Sequence, residues 1–208
     1  TNPTSGKYKI TNCQISVEYV YLDNKERKLF AQSNHEYLIK QVQYSLKNNI
    51  IANETKKVFS MNFNHPILEL IFLVQNKNVK TKGADVGNDW FNFSKTLTFP
   101  FKDPIKSAKV KLNGQDRTPE MTSKELRFYN ILEKHTSIPY NNFIYLYSFS
   151  LKPEQYQPTG SCNFSRFDNK ELEIEFEDNL EHSDLKIYAL NYNVLRISQG
   201  LAGLAYIN

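Results

Sequence analysis

Apolar and polar residues alternate with period two along much of this chain. That is the repeat of a half-buried β-strand, whose successive side chains point to opposite faces. Leu172, Ile174 and Phe176 alternate with Glu171, Glu173, Glu175 and Glu177, which describes a strand with one face in a core and one in water. Cys13, Ile15, Val17, Tyr19 and Tyr21 alternate with Gln14, Ser16 and Glu18, predicting another strand in which Cys13 is a buried thiol acting as a small hydrophobe. Phe143, Tyr145, Tyr147, Phe149 and Leu151 predict an aromatic strand face opposite Ser148 and Ser150. Ala108, Val110 and Leu112 alternate with Lys109 and Lys111 and run into Asn113-Gly114, the dipeptide preferred in two-residue hairpins.

Two runs lack the alternation. Residues 67–74 are apolar except for Glu69, as expected of a strand covered on both faces. Residues 185–197 mix Tyr and Asn into an apolar background, which suits a strand buried against neighbours within a larger assembly. Helices are a minority. Residues 24–32 are rich in Lys, Glu, Arg, Leu and Ala, with Asp23 placed to cap them. Residues 122–134 open on a capping-box pattern, Thr122 with Glu125, and Leu126, Tyr129, Ile131 and Leu132 roughly follow helical spacing. Residues 75–88, 114–122 and 152–161 are polar and read as loops. About eight strands with connections of unequal length and no βα alternation predict a single all-β sandwich over residues 1–208, on a Greek-key or jelly-roll path with short helical insertions.

Composition sharpens this picture in a few places. Aromatic residues make up 13% of the 208, with 14 Phe and 13 Tyr, and such side chains favour pleated, half-buried surfaces. A formal net charge of +4 is too even a balance to argue for direct nucleic-acid binding. The denser basic groups, Lys25, Arg27 and Lys28, then Lys77, Lys80 and Lys82, read as solvated faces. Cys13 and Cys162 are too few for a disulfide scaffold or a cysteine-rich zinc cluster. No apolar run approaches the length of a membrane-spanning helix, so any membrane contact is expected to be indirect. The chain opens on Thr1 and not on Met, which reads as a processed product or a segment of something longer.

Candidate chemistry is sparse. The 4 histidines, His35, His65, His135 and His182, are far apart, with no His-x-His or Cys-x-x-Cys pattern to suggest a metal site. His35 is expected to hold a polar contact near a strand start. No Gly-x-Ser-x-Gly pattern is present, so Gly160, Ser161 and Ser165 read as turn and loop residues. No catalytic, cofactor-binding or metal-ligating residue is assigned, and no cofactor is expected. The glutamates of 171–177 read as a solvated face, or one paired with bases on a neighbour, before they read as cation ligands. Of the Asn-x-Ser/Thr triplets, Asn53 and Asn92 are the positions at which glycosylation is worth testing, while Asn163 is better explained by strand-end hydrogen bonding.

The last third of the chain carries a resemblance. Pro158-Thr159-Gly160-Ser161-Cys162-Asn163-Phe164-Ser165-Arg166-Phe167-Asp168 resembles a segment of the major capsid proteins of nucleocytoplasmic large eukaryotic DNA viruses (the iridovirus, phycodnavirus and mimivirus group) that reads roughly P-S-G-x-x-N-F-S-R-x-D. Residues 188–196 and 200–206 are similar to that family's closing strand and tail. Residues 18–23, 26–27, 30–32, 35–39 and 41–43 are similar to the start of its second jelly roll. Residues 112–117 and 145–153 complete the series in the family's order, over nearly the whole chain. Thr159 departs from the usual Ser, and residues 76–87 match no family pattern.

The resemblance implies an eight-stranded jelly roll that is the C-terminal half of a double jelly-roll protein. That protein forms homotrimeric capsomers of nearly hexagonal outline, which tile an icosahedral shell. It further implies neighbouring capsomers and minor capsid proteins as partners, location in the virion after assembly in the host cytoplasm, and no enzymatic role. The alternative is a jelly-roll module that binds carbohydrate or a receptor. Trp90, Phe91 and Phe93 would then stack on sugar rings and Asp89 would meet a hydroxyl, against the simpler reading of these aromatics as core.

Overall fold

The predicted alternations fold as strands wherever a partner strand lies alongside. The computed structural model describes residues 11–80, 89–140 and 142–207. Strand β9 (Lys170–Phe176) lies between β2 (Lys56–Ser60) and β4 (Ile105–Leu112), and all three are antiparallel. Leu172, Ile174 and Phe176 point inward together with Ala108, Val110 and Leu112. The Asn113-Gly114 turn has φ of 50° and 77°, the left-handed pair that a two-residue hairpin demands. It leads into β5 (Gln115–Asp116), and β6 (Met121–Thr122) also pairs with β4. This sheet runs β2-β9-β4-β5.

The other sheet is built from β1 (His35–Ile50), β10 (Ser183–Ser198), β3 (Pro66–Asn76) and β7 (Tyr145–Ser148), in the order β1-β10-β3-β7. Short strands β8 (Cys162–Asn163) and β11 (Leu201–Leu204) add to β3 and β10. The chain crosses from one sheet to the other and back, and the pairings β1–β10, β2–β9, β3–β7 and β4–β5 are nested one inside the next. A single long hairpin rolled up on itself gives this nesting, which is the jelly-roll path. Residues 67–74 lack alternation because the outer face of β3 is covered as well as the inner one, with Glu69, 3% exposed, bonded there to His135 of the connection after β6. In β10 the outward Lys186, Tyr188 and Leu190 are half-buried.

The core fills the space between the sheets. Phe59, Phe72, Tyr145, Phe164, Leu172, Ile174, Phe176, Leu185 and Ile187 lie within it, each at most 3% exposed. Phe72 stacks on Tyr145 at 5.6 Å between ring centroids, and Phe59 meets Phe176 edge-on at 6.4 Å. Each such side chain contributes roughly 1.5–3 kcal/mol through the apolar area it removes from water.

Two expectations are corrected. Residues 11–23 form no strand, and Ile15, Val17, Tyr19, Val20 and Tyr21 are 62–92% exposed. Cys13 is accordingly exposed, not buried. Alternation provides one apolar face, but a strand also needs a neighbour for its N–H and C=O groups, and none among the described residues lies beside this segment. The helix at 122–134 does form, with Thr122 N–H and Oγ1 both donating to the Glu125 carboxylate. Its face differs from the expected one. Residues Glu125–Tyr129 make a π-turn, closed by Asn130 N–H donating to Glu125 O, before α2 (Asn130–Lys134) resumes. A π-turn brings positions five apart onto one side, so Leu126 and Ile131 are buried while Tyr129 and Leu132 are each 65% exposed.

Smaller differences follow the same logic. Helix α1 (Asn24–Gln32) has its full capping box, Asp23 with Glu26, yet buries no residue. Leu151 lies past the end of β7 and is exposed. The segment expected as a loop from residue 75 begins with the end of β3 and a 3-10 turn, Lys77–Lys80, and residues 81–88 lie outside the described residues. The 114–122 loop contains β5 and β6, whereas 152–161 is a loop as expected.

Ile174 is fully buried at the centre of β9, so Ile174→Asp is expected to abolish cooperative unfolding and leave the chain insoluble. Ile174→Ala should cost about 2–5 kcal/mol in a urea titration, and a soluble, native-like Asp variant would refute the strand assignment.

Candidate functional site

The outer faces of the two sheets carry opposite chemistries. On the β2-β9-β4 sheet the glutamates of β9 alternate outward, and the flanking strands set lysines beside them. Glu173 accepts from Lys111 Nζ at 2.5 Å and from Lys56 Nζ at 2.7 Å, with Lys109 Nζ at 3.8 Å. Its neighbour Glu175 takes Lys106 Nζ at 2.5 Å, and Lys109 turns to Asp116 at 2.9 Å. The lysines hold the Glu173 carboxyl at about 2, through the bonds from Lys111 first and Lys56 second. Of the four glutamates, Glu173 and Glu175 are therefore paired with bases on neighbouring strands. No group of metal-ligating side chains converges among the described residues.

The β1–β10 face is largely apolar. Leu38, Val42, Tyr44 and Leu46 lie along it at 50, 63, 51 and 41% exposure, opposite Val194, Leu190, Tyr188 and Lys186 of β10, while Lys40 between them turns its ammonium to Pro153 O and Gln155 O. Tyr44 and Tyr188 rings lie 4.9 Å apart. Strand β1 runs for 16 residues and pairs with β10 on one side alone among the described residues. A long edge strand with an apolar face is a template for association unless something covers it. Sequence pattern did not single out this face, although the alternation Leu38, Val42, Tyr44, Leu46 is its signal.

The histidines serve local structure. His35 opens β1, its Nε2 bonded to Phe30 O at 2.8 Å and its ring stacked on Phe30 at 4.3 Å, which is the strand-start contact expected of it. At His65 the backbone N–H donates to Ser165 Oγ at 2.8 Å, so Ser165 is engaged in a turn. His135 lies between two carboxylates, Nε2 to Glu69 Oε2 at 2.9 Å and Nδ1 to Glu154 Oε1 at 3.1 Å. Glu69 is 3% exposed on β3, and its bond raises the pKa of His135. This bridge fastens the end of α2 and the 152–161 loop onto the sheet. Its stabilisation is complete below the ordinary histidine value and fades as pH rises through the raised one. Residues 69, 135 and 154 are too far apart in sequence for any motif to group them.

The aromatics of the β3–β4 connection are mostly not core. Trp90 is 49% and Phe91 84% exposed, and Phe93 alone of the three packs against the core. Asp89, Phe91, Asn92 and Phe93 line one cleft of about 430 Å³ with Phe99, Phe101, Asn142 and Phe143. Asn92 Nδ2 donates to Asp89 Oδ2 at 2.9 Å, and its Oδ1 accepts from Ser94 N–H and Oγ at 3.0 and 2.7 Å. Asn92 is thus half-buried and committed to its neighbours. Asn53 stands exposed in the turn between β1 and β2 at φ 59°, and Asn163 caps a 3-10 turn by accepting from Ser165 N–H at 3.1 Å.

Comparison with known proteins places these surfaces in context. The family described as large eukaryotic DNA virus major capsid protein matches residues 26–203. The chain is 33% identical to the major capsid protein of Pyramimonas orientalis virus over 96% of its own length and 50% of that protein's. It is 34% identical to the major capsid protein of Paramecium bursaria Chlorella virus 1 over 93% of its length and 54% of that protein's. A chain of the PBCV-1 virus capsid superposes with a TM-score of 0.76 at 32% identity, covering 91% of this chain and 56% of that one. The chain thus spans about half the length of the curated relatives it matches.

Glu173→Gln is expected to lower stability at neutral pH by about 1–2 kcal/mol, since it strips the lysines of their shared counter-charge. Because the folded carboxyl titrates at about 2, the difference from wild type should persist above pH 4.5 and close as pH falls towards that value. Urea midpoints of the two proteins across that range test this, and a gap that does not change with pH would contradict it.

Proposed function

The chain belongs to the large eukaryotic DNA virus major capsid protein family, and from that premise we propose that it is the C-terminal jelly roll of a two-domain, shell-building subunit. The observation that carries this reading is the exposed, largely apolar outer face of β1 together with the segment that precedes it. Residues 12–22 have the alternation of a strand and no partner strand among the described residues, which is what a strand belonging to a sheet in the other half of the polypeptide would look like. The relatives are about twice as long as this chain, so there is room for a second domain of similar size. The face of β1 and β10 is then an internal interface, and its exposed leucines and tyrosines become core.

In this reading the complete protein acts by assembly and needs neither catalytic residue nor cofactor. Three copies form a capsomer, and closed symmetry lets the capsomers, with minor capsid proteins, tile a shell assembled in the host cytoplasm. Stiffness supports that role. The nested pairings tie both ends of the domain together, and the outward charges of the β2-β9-β4 sheet are neutralised within the sheet itself. Binding of a carbohydrate or receptor is compatible with the shell role, since the aromatic cleft is built on connections and leaves the sheets free.

Negative-stain electron microscopy of the complete polypeptide, co-expressed with its assembly factors, is expected to show threefold particles of nearly hexagonal outline. A monomer under every condition tried would overturn the capsomer reading while leaving the fold intact.

A further inference from the structure

We propose that the cleft between the β3–β4 connection and residues 142–143 binds a neutral pyranose sugar. Its walls are phenyl rings. Phe91 and Phe99 are 84% and 85% exposed, Phe101 is 49% exposed, and Phe143 at 8% lies at the inner side. Phe99 and Phe101 meet edge to face at 6.2 Å between centroids. Each exposed ring presents a flat face with negative quadrupolar charge, which attracts polarised C–H groups. One side of a pyranose is a patch of such C–H groups, while its hydroxyls project around the rim.

The polar groups of the cleft match those hydroxyls. Asn92 fixes Asp89 through one carboxylate oxygen, and the other has no partner among the described residues. The Asn142 amide likewise makes no side-chain bond among them, and an amide both donates and accepts, as a hydroxyl does. Among the described residues no lysine, arginine or histidine lines the cleft, so a phosphate, sulfate or carboxylate ligand finds no counter-charge there and meets the repulsion of Asp89. That selects a neutral ligand. The concave space of about 430 Å³ falls within the range of small-molecule sites. A protein surface pressed onto the same rings would have to supply matched partners for Asp89 and Asn142 or leave them unsatisfied.

The test uses the complete capsid protein and saturation-transfer NMR with the methyl glycosides of glucose, galactose and mannose, and with glucose 6-phosphate as the anionic control. At least one neutral glycoside is expected to receive saturation on its ring protons and the phosphate much less. Phe99→Ala and Phe91→Ala should each weaken the signal about tenfold, and Phe99→Trp should retain it. Particle outline in electron microscopy should be unchanged in all three, which separates this test from the shell reading. Absence of transfer to every neutral glycoside would overturn the proposal, as would transfer that survives both alanine variants. Loss of threefold particles in the alanine variants would also overturn it, by showing that the rings are a subunit contact.

Discussion

The pairing of the first long strand with the last is the constraint on which the rest of this structure depends. Strand β10 is held between β1 and β3, and its register with β1 runs from His35↔Ile197 to Ile50↔Ser183. Once those ends are joined, β2 must lie against β9, β3 against β7 and β4 against β5, because each pair is nested inside the one before. The two sheets then close over Phe72, Tyr145, Leu172, Ile174 and Phe176. Contacts between residues this far apart in sequence impose a high loop-closure cost before they return any stabilisation, so slow folding is built into the topology.

That closure also decides which surfaces are left. The outer face of β9 is complete in itself, since Glu173 and Glu175 draw their lysines from β2 and β4. Burying such a cluster against a partner would add desolvation with no new pairing, so it suits a surface that stays wet. The outer face of β1 is the reverse case. Leu38, Val42, Tyr44 and Leu46 gain by burial, and the edge of β1 away from β10 has no partner strand among the described residues. One domain thus presents a face that resists association and another that requires it, which is how a building block acquires a defined orientation.

Much of the fold was legible because its signals are local. Leu172, Ile174 and Phe176 identified β9, and Asn113-Gly114 identified a hairpin, since strand period and turn conformation are written in adjacent residues. What escaped depended on distant partners. Residues 13–21 show the same alternation as β9, but alternation does not say whether a neighbouring strand exists within reach. The π-turn at Glu125–Tyr129 moved Tyr129 and Leu132 into solvent, and one inserted position is invisible to helical spacing that is only approximate. The Glu69–His135–Glu154 bridge joins three elements, and no spacing rule connects them. In the cleft, Asp89, Phe91 and Phe93 were visible as a cluster, whereas Phe99, Phe101, Asn142 and Phe143 joined them only through the fold.

In the proposed subunit this jelly roll is finished by a second domain of the same polypeptide, lying against β1 and pairing with residues 12–22. Amide hydrogen exchange of the complete protein reads this directly at those residues, because nothing among the described residues protects them. Exchange there is expected to be as slow as in β10, the protection of a paired strand. Exchange at the rate of an unstructured peptide would contradict it.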